Sequence, residues 1–340
     1  MQTLSYELIQ RVAAAYGRPA KHVHAPQSGY RNTSFALDLE SGGQANLIVY
    51  KREDHILPRI QLAGILGKYL HAQGLPVRYP LDSRITAIQS PRGTRYAALY
   101  NYLPGHTIPW EGYTRRHIKL IGQALSHLHY ALRSSDAKAP HVADEYLAIF
   151  RRMFDYFSDP RVAQAMELKL ALRLDPYQIT RHQRLLHHAK TFPASQLLHM
   201  DFVRSNLLFG SSLDAPTSRF KRGGVVLTGI IDFEKAAVGH PLFDIARTLA
   251  FLLVDSNKSP KQIRKYFLIS GYSKRGPVQY RTDWDPLLAH LIDLFLLHDF
   301  YKFLCHNPYE SLADNQHFIR TRDLLLERHL IESLEVSAIP

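Results

Sequence analysis

Residues 197–209, LLHMDFVRSNLLF, place the tightest constraint on this chain. Asp201 and Asn206 lie five residues apart between two apolar runs, so a polar loop is held at both ends by backbone that must be buried. A further apolar run, 225–231, ends on Asp232, where a carboxylate has no packing role. Taken alone, an Asp after a strand is ordinarily a turn former. With Asp201 and Asn206 upstream it reads differently, because phosphoryl transfer from a nucleoside triphosphate needs such a set. One carboxylate must orient the attacking hydroxyl and accept its proton, and oxygen ligands must hold the Mg²⁺ that bridges the phosphates.

The rest of the chain supplies a frame for that loop. Residues 33–39 alternate, Ser41-Gly42-Gly43 offers turn chemistry, and 45–51 is rich in strand formers, which together predict a hairpin. Residues 56–72 place Ile60, Ala63, Leu66 and Leu70 at helical spacing, and Gly74 is positioned to stop that helix. A second hairpin is expected from 84–89 and 96–103 across Ser90-Pro91-Arg92-Gly93. An amphipathic helix carrying Leu4, Leu8, Ile9 and Val12 precedes all of this. From Tyr113 the period turns helical, through RRHIKLIGQALSHLHYAL, 145–157, 160–172 and 177–190, interrupted by strand-like pieces at 196–199, 207–209 and 225–231. Residues 211–224 read as a mobile, polar, basic loop. The expected fold is α+β, with a small antiparallel β lobe over 1–104 and a large, mainly helical lobe over 105–340.

Composition removes several function classes. With 340 residues, 46% hydrophobic and 21% charged, the chain is globular rather than disordered. Its one cysteine, Cys305, can form neither an internal disulfide nor a thiolate metal cluster. The longest apolar stretches are punctured by Asp244 and Arg247, and by Asp293 and Asp299, so no membrane span is expected and a cytoplasmic location is the expectation. The histidine groups His22/His24, His127/His129 and His182/His187/His188 lack metal-ligand spacing; most are expected on exposed helix faces, whereas His129, at a helix end, is expected to be a packing residue. Walker A and dinucleotide fingerprints are absent. A formal charge of +12 raises nucleic acid as a partner, but aromatic residues interleaved with basic ones are missing, which argues against it. Residues 241–340 carry 12 basic and 12 acidic side chains, so the excess lies in the first 240, where it suits a polyanionic nucleotide.

His199-Met200-Asp201 through Asn206, then Ile231-Asp232-Phe233-Glu234, then Gly239-His240-Pro241-Leu242-Phe243-Asp244, resemble the aminoglycoside phosphotransferase and choline kinase superfamily. The resemblance covers roughly residues 25–255 and includes Tyr102-Leu103-Pro104-Gly105, which looks like that family's hinge. It implies a two-lobed protein-kinase-like fold and an ATP- and Mg²⁺-dependent kinase of a small-molecule hydroxyl. By position, Asp201 is the implied base, His199 orients the loop, and Asn206 and Asp232 are the implied Mg²⁺ ligands. Lys51 is the implied phosphate-facing strand lysine. Ser28, Gly29 and Asn32 stand where the family has a phosphate loop, and adenine is expected against the hinge near Tyr100 and Tyr102. Arg204 stands where positive charge toward the γ-phosphate is expected.

Three departures bear on function. Helix 56–72 holds no acidic residue to pair with Lys51; Val203 occupies a position that often carries Lys or His; and His240 replaces the usual acid. A nucleotide-binding pseudokinase with a regulatory role therefore stays open as the alternative. For the acceptor site, Asp293 and Asp299 could face a cation, and Tyr301, Trp284 and Tyr309 could form an aromatic wall. Six residues apart, the two aspartates do not share a helix face well, so at least one is expected to be solvent-exposed or structural, and core packing is the competing reading for the aromatics.

Overall fold

The computed structural model describes residues 5–28, 32–89, 93–192, 195–215 and 218–334. It divides into two compact units that are each discontinuous in sequence: Met1–His106 with Ser135–Lys138 and Asn206–Lys235, and Thr107–Ser134 with Ala139–Ser205 and Ala236–Pro340.

The first unit is built on a sheet whose two faces follow the strand period. Helix α1 (Tyr6–Ala15) starts on Ser5, whose side chain accepts the Leu8 N–H. Strands β1 (Ala20–Val23), β2 (Gln27–Ser28), β3 (Thr33–Leu39) and β4 (Gln44–Val49) follow, then helix α2 (Ile56–Ala72), β5 (Thr86–Ile88) and β6 (Arg95–Asn101). The sheet runs β1-β3-β4-β6-β5, antiparallel throughout, with β2 on β3. Leu47, Val49, Ala97 and Leu99 face one core with Phe35, Leu37 and Ile9 of α1. The alternate residues Ile48, Tyr50, Ala98 and Tyr100 face the other, with Ile56 and Ile60 of α2. A second sheet in this unit orders Lys221–Arg222, Val225–Ile230 and Leu207–Gly210.

The second unit is helical: α3 (Arg115–Leu132), α4 (Val142–Ser158), α5 (Pro160–Leu170), α6 (Pro176–His188), α7 (Leu242–Asp255), α8 (Pro260–Arg264), α9 (Asp285–His306) and α10 (Gln316–Glu327). Helix α7 is buried almost all round, which is why its sequence is apolar on every face. Two small antiparallel pairs complete the unit, Gln196–Leu198 with Ala237–Gly239 and Leu172–Leu174 with Ile331–Ser333.

Several expectations change. Strand β4 ends at Val49, so Lys51 lies two residues beyond it rather than closing it. Of the loop 211–224, residues 216 and 217 lie outside the described residues; its later part is held in place, with Phe220 fully buried and Lys221 and Arg222 paired with Val226 and Val225. His182 is buried completely instead of lying on a solvated face, while His129 is buried as its packing reading implies. Asp293 and Asp299 are both ion-paired, to Arg328 and to Arg247. Of the second hairpin turn, Ser90, Pro91 and Arg92 lie outside the described residues, as does Leu4. Among the described residues no helix is long and apolar enough to cross a membrane.

Candidate active site

In the second unit, the backbone of residues 199–202 is fixed from α7 and α4. Asp244, in the first turn of α7 and fully buried, accepts the N–H of His199 at 2.8 Å and of Met200 at 2.6 Å. The same carboxylate meets His129 Nε2 at 3.2 Å, and His129 Nδ1 is 2.7 Å from the Tyr272 hydroxyl. Tyr146 of α4 donates to the Met200 carbonyl at 3.2 Å, and Thr248 of α7 donates to the Phe202 carbonyl at 3.1 Å. These ties hold Met200 in the left-handed region at φ 61°, a conformation a side-chain-bearing residue adopts only when its surroundings demand it. The bend turns the chain at Asp201, which is 7% exposed, and the Asp201 N–H donates to His199 Nδ1 at 3.2 Å.

The side chains near Asp201 are polar and largely paired. Arg247 of α7 bridges to Asp299 of α9 at 2.7 Å and acts electrostatically on Asp201. Burial opposes ionisation of Asp299, yet Arg247 holds its carboxyl far below the usual range. Arg204 is half of an ion pair, its Nε 2.9 Å from Asp255 Oδ2, and His317 Nδ1 is 3.3 Å from the other oxygen. Burial pushes the Asp255 carboxyl up to about 6 despite Arg204. His240, where an acid was expected, accepts the Leu242 N–H on Nδ1 at 3.2 Å and so opens α7 as an acid would.

Burial also pushes His240 down to about 4. A base whose folded pKa is depressed stabilises the fold above its unfolded pKa, and that contribution disappears as pH falls through the folded value. The urea midpoint is therefore expected to drop between pH 6.5 and 4. His240→Asn, which keeps an acceptor for Leu242, should flatten the drop, and an unchanged pH profile in that variant would rule His240 out as its source.

In the first unit, Asn206 and Asp232 are brought to the same end of one ladder. Asn206 immediately precedes the strand Leu207–Gly210, Asp232 follows Val225–Ile230, and Ile230 pairs with Leu207. The Ile231 N–H donates to the Asn206 carbonyl at 3.0 Å. Asp232 is left-handed at φ 69°, and Asn206 is buried. A carboxylate and an amide oxygen suit a hard cation that takes its remaining ligands from phosphates and water. Among the described residues there is no group of three or more His, Cys, Asp or Glu that could hold a metal ion.

Lys51 is exposed, its N–H donates to Asn32 Oδ1 at 3.2 Å, and it lines a surface hollow of about 330 Å³ with Arg52, Glu53 and Tyr96. Gly29 lies outside the described residues, and Ser28 ends β2 opposite Thr33. Tyr102 is 37% exposed. Tyr100 is buried, its hydroxyl 2.6 Å from that of Tyr50, and burial raises both phenols.

The sequence reading missed Arg78. Residues 76–78 run beside the end of strand Val225–Ile230, with Ile230 N–H on the Pro76 carbonyl at 2.8 Å and Arg78 N–H on the Ile230 carbonyl at 3.0 Å. Close approach of α2 makes this possible, since a Cβ at Gly67 would lie 2.4 Å from the Arg78 carbonyl oxygen. The Arg78 guanidinium lies 5.1 Å from the centre of the Tyr100 ring and 3.4 Å from Glu234, two residues past Asp232. Both side chains of this ion pair are nearly buried, and Glu234 Oε2 has no partner among the described residues. A lone arginine in the extended segment between Pro76 and Pro80 carries no sequence signal of such a role.

A sequence model of the phosphotransferase enzyme family matches residues 22–281. Homoserine kinase of Pseudomonas aeruginosa is 28% identical over 256 residues, which is 73% of this chain and 70% of that protein. Among solved structures, an amicoumacin kinase in complex with AMP-PNP, Ca²⁺ and Ami is similar at TM-score 0.68 and 13% identity, over 96% of this chain and 94% of that one. A microcompartment-associated aminopropanol kinase is similar at TM-score 0.68 and 16% identity, over 96% and 98%. At these identities the structural likeness shows a kinase-like fold.

Proposed function

Since the chain belongs to the phosphotransferase enzyme family, we propose that it is an ATP- and Mg²⁺-dependent kinase of a hydroxyl on a small-molecule acceptor. The observation that carries this reading is Asp201, a carboxylate on a strained bend whose backbone is held by Asp244, Tyr146 and Thr248. In the proposed reaction the acceptor oxygen bonds to the γ-phosphorus, the bond from that phosphorus to the β–γ bridging oxygen breaks, and the hydroxyl proton passes to Asp201. Asn206 and Asp232 would hold the Mg²⁺, which offsets phosphate charge. His199 orients Asp201 through its ring nitrogen. Amino alcohols are the favoured acceptor class, because the homoserine and aminopropanol kinases act on such molecules by name.

The test is acceptor-dependent ADP release with Mg·ATP across amino alcohols, hydroxy amino acids, amino sugars, sugars and macrolides. An amino alcohol or hydroxy amino acid is expected to give the highest kcat/KM. Mg·ATP binding with neither transfer nor hydrolysis across the panel would instead favour the pseudokinase reading.

The absence of an acidic residue on α2 is the observation behind that alternative, and the Arg78–Glu234 pair answers it. This pair ties the sheet residue Tyr100 to the Asp232 segment and would hold Asp232 in place for the metal. Exchanging both partners, Arg78→Met with Glu234→Gln, avoids leaving a buried charge alone. The double variant is expected to weaken Mg·AMP-PNP binding about tenfold, on the scale of one charge-assisted hydrogen bond. Lys51→Met should weaken it less. Calorimetric titration measures both, and normal affinity in the double variant would remove Arg78 from the nucleotide site.

A further inference from the structure

The histidines near residue 188 form part of a second feature, separate from every residue used above. His182 on α6 is fully buried. Its Nδ1 sits 2.6 Å from the Gln178 carbonyl, one turn back on the same helix, which turns the far ring nitrogen, Nε2, away from that backbone. Nε2 is buried and has no hydrogen-bond partner among the described residues. His290 on α9 receives an N–H from Arg181 on Nε2 at 2.7 Å. That contact requires a neutral ring with its proton on Nδ1, and this nitrogen too is buried without a partner. Burial and the Arg181 charge both push His290 down, and burial pushes His182 down.

These two rings line a hollow of about 220 Å³ together with Arg181, Arg184, Leu185 and His188. No carboxylate lines it. The acid within electrostatic reach of both rings, Asp293, is already bound to Arg328. Two guanidinium groups and three imidazoles thus line the hollow, the one acid that acts on the rings is shared with Arg328, and one guanidinium spends an N–H on a ring nitrogen. Buried polar atoms left unpaired are costly, so a group that satisfies several at once is favoured.

We propose that the hollow between α6 and α9 binds a small oxyanion of the phosphate class. Arg181 and Arg184 supply the charge, the His290 Nδ1–H donates one hydrogen bond, and His182 Nε2, once protonated against the anion, donates another. The ligand is either free phosphate or a phosphomonoester, since both present the same dianionic head.

The test follows the ring carbon–hydrogen NMR signals of His182 and His290, assigned with His182→Gln and His290→Gln. The whole chain is titrated with inorganic phosphate, with glycerol phosphate and with chloride at constant ionic strength. Both signals are expected to move and saturate with one of the two phosphates, and the one saturating at lower concentration identifies the source. Arg181→Gln with Arg184→Gln is expected to raise the half-saturating concentration about tenfold or more, with unchanged thermal midpoint and unchanged Mg·AMP-PNP affinity. Signals that ignore both phosphates, that move equally with chloride, or that respond unchanged in the double variant would overturn the site. Because the readout is local to these rings, none of these results bears on the kinase reading.

Discussion

Asp201→Asn is expected to lower turnover by a factor on the order of 10²–10⁴ while leaving Mg·ATP affinity nearly unchanged. The substitution keeps the shape of the side chain and removes its basicity. The ties that hold the bend run through the backbone of 199–202 to Asp244, Tyr146 and Thr248, and none of them uses the Asp201 carboxylate. A loss confined to kcat, with calorimetric nucleotide affinity retained, marks a group that acts on the proton in the transition state. Unchanged turnover with the best acceptor would remove Asp201 as the base. Lower affinity together with a lower thermal midpoint would point to a structural part for this residue instead.

Asp244→Ala should produce the largest loss of stability, about 3–5 kcal/mol, because it strands several buried donors at once. The His199 and Met200 N–H groups lose their acceptor in a region with no access to water, and His129 loses its partner. The left-handed Met200 is then unsupported, so activity should fall beyond what the stability loss alone explains. Asp244→Asn keeps one acceptor oxygen and should lose roughly half as much. Urea unfolding of the three proteins orders them. An Ala variant as stable as the parent would mean that the loop holds its bend without α7.

The parts that were legible in the amino-acid order are those whose physics is local. Helix α2 was readable to the residue because apolar side chains recur at helical spacing and Gly74 marks its end, and α3 was readable from the same period starting after Tyr113. The β3–β4 hairpin was readable from alternation around Ser41-Gly42-Gly43. Lys51 was placed in strand β4 because the run through Tyr50 has strand-forming composition, whereas β4 ends at Val49. Strands Leu172–Leu174 and Ile331–Ser333 exist only through each other, across almost the whole second unit's sequence, so neither carries a period of its own. In the first unit Arg78 reaches Glu234, and in the second Arg247 and Tyr146 reach the bend at 199–202, through tertiary packing that spacing does not encode. His182 sits among charged neighbours along α6, and its complete burial comes from tertiary packing, in which α4 is the main helix against α6.

The discontinuity of the first compact unit has a consequence for synthesis. Its chain begins at residue 1, breaks at His106, and is completed only by Asn206–Lys235. Until that late segment emerges, Pro76 and Arg78 have no Ile230 to bond, and the Arg78 guanidinium has no Glu234. At ~5–20 residues per second, the 129 residues between His106 and Lys235 take roughly 6–26 s to make. During that interval the nascent sheet lacks the segment that bonds residues 76–78, so the unit that is first in the sequence cannot finish folding until residue 235 is made, and the second unit, which needs Ala236–Pro340, cannot finish until later still.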